Sequence, residues 1–131
     1  LLVSTDQHAA AVVALLNAAL APKAAYDIDD IRKMSAPPSE YIEITLTRRF
    51  GGNTRVCGGI APSSWRLTTR AVASTVGNAR KLLDDTTTAL ELARITVASE
   101  TSTPVQFETE DPIRTDDDNT WTGLRSWTYA F

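Results

Sequence analysis

Two kinds of hydrophobic spacing take turns along the chain, one helical and one extended. In "HAAAVVALLNAALA", His8 to Ala21, the residues Val13, Leu16 and Leu20, helped by Ala9 and Val12, recur at three- and four-residue steps. They make one apolar stripe, so the spacing predicts a helix. Ser4 and Gln7 stand in the S-x-x-Q arrangement of a capping box at its start, and Pro22 closes it. From Lys23 to Ser39 the pattern fades. Pro37 and Pro38 lack N–H donors, which predicts an irregular connection with space for a short strand near Tyr26.

"YIEITLTRR", Tyr41 to Arg49, then alternates Ile42, Ile44 and Leu46 against Glu43, Thr45 and Thr47, the signature of a half-buried strand. "FGGNTRVCGGIAPSS" follows with two Gly-Gly pairs and Pro62, too long for an ordinary hairpin turn and a candidate interaction arm. In "SSWRLTTRAVASTVGNARKLLDD" a strand from Ser64 to Ala73 puts Trp65, Leu67, Thr69 and Ala71 on one face and Arg66, Thr68, Arg70 and Val72 on the other. Ser74 or Thr75 caps the helix that begins at once. There Val76, Ala79, Leu83, Thr86, Leu90 and Ala93 keep three- and four-residue spacing, a stripe that must lie on the sheet. The run Thr86 to Thr88 is β-branched and has to be held in the helix by tertiary packing. Arg80 with Asp84 and Lys81 with Asp85 have the spacing of surface ion pairs.

A third strand is expected in "PVQFETEDP", stopped by Asp111 and Pro112, and an acidic turn follows it. The last strand, "TWTGLRSWTYAF", aligns Trp121, Trp127, Tyr129 and Phe131 on one face with Gly123 and Arg125 between them, a stripe that reads as core. The expected fold class is α+β in one domain spanning residues 1–131. Its order is α-β-β-α-β-β, with a mixed or antiparallel sheet of about four to five strands and two helices packed on one face.

Composition narrows the partners. A net charge of −3 and a pI near 5.1 offer no bulk attraction to nucleic acid or anionic lipid. Cys57 is the one cysteine, so no disulfide staple within the chain is possible, and synthesis in a reducing cytoplasm is expected. The apolar run from His8 to Ala21 is too short to span a bilayer, is broken by Asn17 and lacks the basic flank of a signal peptide. The chain begins with Leu1, so at least an initiator methionine is expected ahead of it.

Candidate chemistry is sparse. His8, the one histidine, falls in the first turn of the first helix and reads as a surface residue without the orienting partner a base needs. Cys57, beside Arg55, Gly58 and Gly59, reads as a small loop residue. Asp116 and Asp118 match the first two ligand spacings of a calcium loop, but Trp121 and Trp127 stand where its glycine and last glutamate belong. Neither Gly-Gly pair opens a phosphate-binding motif. No catalytic residue, cofactor or metal is expected. Arg48, Arg49, Arg55, Arg66 and Arg70 cluster around the hairpin and make a candidate basic patch, which would meet an acidic loop such as Asp116, Asp117 and Asp118 on a neighbouring subunit.

In "YIEITLTRRFGG", "SWRLTTRAVASTVGNARKLLDD", "STPVQFETEDPI" and "WTGLRSWTYAF", and in the order of its elements, the chain from Tyr41 onward resembles the tail terminator proteins of long-tailed, siphovirus-type bacteriophages. The resemblance implies a small structural subunit, not an enzyme, made in the bacterial host cytoplasm and built into the virion at the head-proximal end of the tail. It implies a homohexameric ring that stops tail-tube polymerisation and offers the attachment surface for the head–tail connector, or neck, proteins. DNA would pass through that ring without specific binding, and no membrane is involved. Another neck or tail-completion protein would share this build. A small enzyme or ligand-binding domain would instead need a polar pocket under the aromatic final strand.

Overall fold

A computed structural model describes residues 5–21, 23–49, 64–97, 99–115 and 120–130. The first helix, α1 (Thr5–Leu20), leads into a short strand β1 (Ala25–Asp27) and a short helix α2 (Ile28–Lys33). Then come β2 (Tyr41–Arg49), β3 (Ser64–Ala73) and α3 (Val76–Leu90). The chain finishes with β4 (Arg94–Val97), β5 (Glu100–Pro104), β6 (Gln106–Thr115) and β7 (Trp121–Ala130). Five strands form one mixed sheet in the order β1-β2-β3-β7-β6, in which only the β1–β2 pair is parallel, and β4 and β5 pair separately. The fold is α+β, as the sequence predicts. Both α1 and α3 pack on the sheet and on each other, while α2 touches β1 and β2.

The register shows why the helices fit. Across β2, β3 and β7 the helix-facing residues line up in rows: Ile42, Ala71, Gly123; then Ile44, Thr69, Arg125; then Leu46, Leu67, Trp127; then Arg48, Trp65, Tyr129. Side chains are smallest where α3 crosses and largest toward the start of α1. A Cβ at Gly123 would stand 2.7 Å from Leu83 Cδ1 and 3.1 Å from Ile113 Cγ1, so β7 and α3 approach closely only because residue 123 has no side chain. At the wide end, α1 presents His8, Val12, Leu16 and Leu20 to the sheet, all buried.

His8 is therefore a core residue, 3% exposed, contrary to the surface placement expected of it. The spacing 8, 12, 16, 20 puts it on the buried stripe of its own helix. Its ring stacks on Trp65 with centroids 4.1 Å apart, and Nδ1 lies 3.2 Å from the Tyr129 hydroxyl. The Arg48 guanidinium sits 5.0 Å from the Trp65 ring centre. Burial, and then the Arg48 charge, holds the His8 pKa below its usual 6.5, and burial pushes the Tyr129 hydroxyl up.

α3 begins at Thr75, whose hydroxyl accepts from the Asn78 N–H at 3.1 Å. Glu40 braces this end by accepting from Asn78 Nδ2 at 2.8 Å, from the Ser74 hydroxyl, and from Lys23, which follows α1. The Lys23 ammonium, then the Asn78 amide, holds the Glu40 carboxyl below its usual range. The threonine run stays helical because Thr86, Thr87 and Thr88 each donate a hydroxyl to the carbonyl four residues back, which satisfies the buried Thr86 group without unwinding the turn. The helix ends at Leu90, so Ala93 lies beyond its stripe.

Three elements differ from expectation. The segment after Arg94 holds the β4–β5 hairpin, turned at Ser99 with φ 69°. β6 runs on through Pro112 to Thr115, with register shifts on either side of Glu110. A proline is tolerated there because β6 is an edge strand and needs no donor on its open side. The third is α2, too short to show a stripe. The proposed cap at Ser4 lies outside the described residues.

Gly123→Ala is expected to lower stability by about 1–3 kcal/mol, and Leu83→Val in that background should recover part of the loss, as read from urea unfolding midpoints. Since the folded-state pKa of His8 is depressed, its contribution is fully present above pH 6.5 and shrinks as pH falls below that value. Unfolding midpoints at pH 7.5 and 5 should show this fall, and His8→Phe, which keeps the stacking on Trp65, should remove it.

Candidate interaction surfaces

Alternation along β2 and β3 separates the arginines that the sequence groups together. Arg48 pairs with Trp65 in register and lies on the helix side of the sheet. Arg66 and Arg70 lie on the outer side with Thr45, Thr47 and Thr68. Arg49 ends β2 beside Ser64, and Arg55, Asp116, Asp117 and Asp118 lie outside the described residues. The expected basic patch is thus split between two faces by the two-residue period of the strand.

Arg66 and Arg70 already have partners within the chain. Arg70 Nη1 donates to Glu43 Oε2 across the β2–β3 pair at 2.7 Å, and Glu43 is 6% exposed. Arg66 spans β7 to make a two-pronged bond with Glu108 on β6, at 3.1 and 2.8 Å. Thr68, Ser126 and Thr128 lie between and beside them, with Leu124 and Thr122 following along β7, a hydroxyl-rich surface. Reversing Arg66 and Arg70 to glutamate would set carboxylates beside Glu108 and Glu43, so those changes test folding before they test assembly.

A second surface was not anticipated. Between α3 and the β6–β7 hairpin runs an open groove of ≈ 910 Å³, floored by Val76, Leu83, Ile113 and Trp121. Arg125 closes one side. It belongs to the buried parity of β7, yet its guanidinium reaches α3, where Nη1 donates to the Leu83 carbonyl at 3.1 Å and to the Thr87 hydroxyl. Nη2 donates to Glu110 Oε1 at 3.1 Å and lies 3.5 Å from Asp84 Oδ1. Asp84, expected to pair with Arg80 on the helix surface, is thereby drawn toward the sheet. Arg125 between Gly123 and Trp127 was visible as a charge inside an aromatic stripe; its partners come from α3 and β6 and leave no local mark.

The space under the end of β7 is filled, with Trp127 fully buried and Tyr129 2% exposed. Beside it, Ser64, Thr103, Gln106, Thr128 and Tyr129 line a smaller open cleft of ≈ 290 Å³ at the end of the strand. Among the described residues no group of three or more metal-ligating side chains occurs, and no helix is long and apolar enough to cross a membrane.

No family model matches the chain, and no curated protein matches it in sequence. The fold recurs in a virion particle. A chain from the virion of a native gene transfer agent particle superposes with a TM-score of 0.61 at 12% identity, covering 92% of this chain and 84% of that one. A second solved structure, of a protein known only by a serial designation, superposes with a TM-score of 0.67 at 11% identity over 97% of this chain and 94% of that one. At these identities the likeness is one of fold, over nearly the whole length of each chain.

Arg70→Met strands the buried Glu43 carboxylate and is expected to cost about 1–3 kcal/mol. Arg66→Met removes a more exposed pair and should cost no more than about 1 kcal/mol. Equilibrium unfolding of the two single variants checks the order.

Proposed function

We propose that this chain is a structural virion protein of a phage-type particle, a subunit of the ring that ends the tail tube at its head-proximal end. The observation that carries the reading is the shared fold with a gene transfer agent virion chain over 92% of this sequence. The tail-terminator resemblance from Tyr41 onward supports it independently. So does the form of the outer sheet face, hydroxyl-rich and with Arg66 and Arg70 internally paired, which suits packing against protein or lining a passage. Arginines held by Glu43 and Glu108 offer little grip to a passing phosphate backbone.

On this reading the chain works by its interfaces. It is not an enzyme and takes no cofactor. Its partners are further copies of itself in a homohexamer, the tail tube protein on one side and the head–tail connector on the other, with DNA passing through the ring.

Particles assembled without this chain decide the role. Negative-stain images are expected to show overlong, headless tails of irregular length, because nothing stops tube growth. Tails of normal length beside unattached, DNA-filled heads would make it a joining protein of the neck instead.

A further inference from the structure

Resting on the ring reading above, we propose that Leu92 and Phe107 of one copy dock into the groove between α3 and the β6–β7 hairpin of the next. Among the described residues these are the two large hydrophobic side chains that stand exposed, Leu92 at 69% and Phe107 at 48%. They share one corner of the molecule. The Leu92 N–H donates to the Val105 carbonyl at 2.9 Å, and Phe107 follows two residues on, about 7 Å along the chain. Register with Trp127, whose ring it meets edge-on at 5.6 Å, puts Phe107 on the helix side of the sheet. Both knobs thus project beside the C-terminal end of α3.

Leu92 is unfavourable to a lone subunit in two ways. Its φ of 62° is left-handed, a conformation that strains leucine and suits glycine, and its side chain gains little by burial within the chain. Glycine would serve the fold better, so leucine at this position points to a covering partner.

The groove selects an uncharged occupant. Its floor is apolar, with Val76, Ile113 and Trp121 half-buried along an open volume of ≈ 910 Å³. The carboxylates of Asp84, Glu110 and Asp111 share it with the guanidiniums of Arg80 and Arg125, and Arg125 already holds Glu110 and Asp84. Charge in the groove therefore nearly cancels. The corner that carries the knobs matches it, since Glu91 and Arg94 beside Leu92 are of opposite sign and Glu108 is held by Arg66 on the outer face. Each surface is an apolar centre with balanced charge around it, which is the anatomy of a protein interface.

The contact has to join two copies. α3 has 15 residues between Val76 at the groove and Leu90 before the knobs, about 22 Å of rigid helix, so Leu92 cannot reach Val76 of its own chain. Phe107 is held on Trp127. A neighbour shifted along α3 by this length brings its knobs over the groove. Knobs and groove are different surfaces, so the contact is heterologous, the kind that closes into a ring when the rotation per copy allows. Two side chains cover far less than the ~1,600 Å² of a standard stable interface, so free subunits associate weakly and the contact is expected at high concentration.

Leu92→Cys and Val76→Cys, placed on separate full-length chains that also carry Cys57→Ser, test the contact when mixed at millimolar concentration under mild oxidation. A disulfide-linked pair on a non-reducing gel is expected from the mixture, several-fold above what either chain gives alone. Ile113→Cys replaces Val76→Cys if that variant does not fold. Leu92→Gly should leave the urea midpoint unchanged or raised, yet weaken self-association in sedimentation velocity about tenfold, as loss of a buried leucine implies. Linkage of Leu92→Cys only to itself would overturn the docking. Multimers of the unsubstituted chain by native mass spectrometry, without mixed linkage or with association unmoved by Leu92→Gly, would overturn it and leave the ring reading in place. A chain that stays monomeric and unlinked at millimolar concentration would also overturn it, and the ring reading is then judged by the images of particles lacking this protein.

Discussion

The close approach of α3 to β7 at Gly123 is the contact on which the rest of the structure depends. With no side chain there, Leu83 settles against the sheet, its Cδ1 2.7 Å from where a Cβ of residue 123 would stand. That places the carbonyl of Leu83 and the hydroxyl of Thr87 within reach of Arg125. The guanidinium then holds the β6–β7 hairpin to the helix through Glu110, and the groove beside it follows from the same geometry. A larger residue at 123 would lift α3 and loosen each of these contacts in turn.

At the other end of the sheet a different solution fills a wider gap. Between α1 and the strands the space takes Trp65, Tyr129 and His8 in place of alanine and glycine. Burying a histidine costs least when it is neutral, and Arg48 above the same cluster reinforces that state. The sheet thus carries two packing regimes along its strands, tight under α3 and aromatic under α1. One row, Thr69 with Arg125, separates them; there Trp127 Nε1 donates to the Thr69 hydroxyl at 3.3 Å.

The outer face shows how a β-sheet can be left open to a partner. Cross-strand pairs hold Arg66 and Arg70, and hydroxyl side chains lie between and beside them. β6, the long edge strand, is guarded by charge, by Pro112 and by irregular register.

The periodic elements were legible in the sequence because burial on one side imposes its own period: β2, β3, α3 and β7 follow from alternation or from three- and four-residue spacing. The inward stripe of Trp127 and Tyr129 and the cap at Thr75 were legible for the same reason. Short elements stabilised mainly by neighbours, α2 and the β4–β5 hairpin, left no such pattern, and the persistence of β6 through Pro112 depends on its edge position, which only strand order reveals. Tertiary structure alone decided that His8 stacks on Trp65, that Arg66 reaches across β7 to Glu108, and that Arg125 joins a helix to a hairpin. Each of these rests on residues far apart in the chain, brought together by strand register and helix docking, and a one-dimensional period carries no record of such partners.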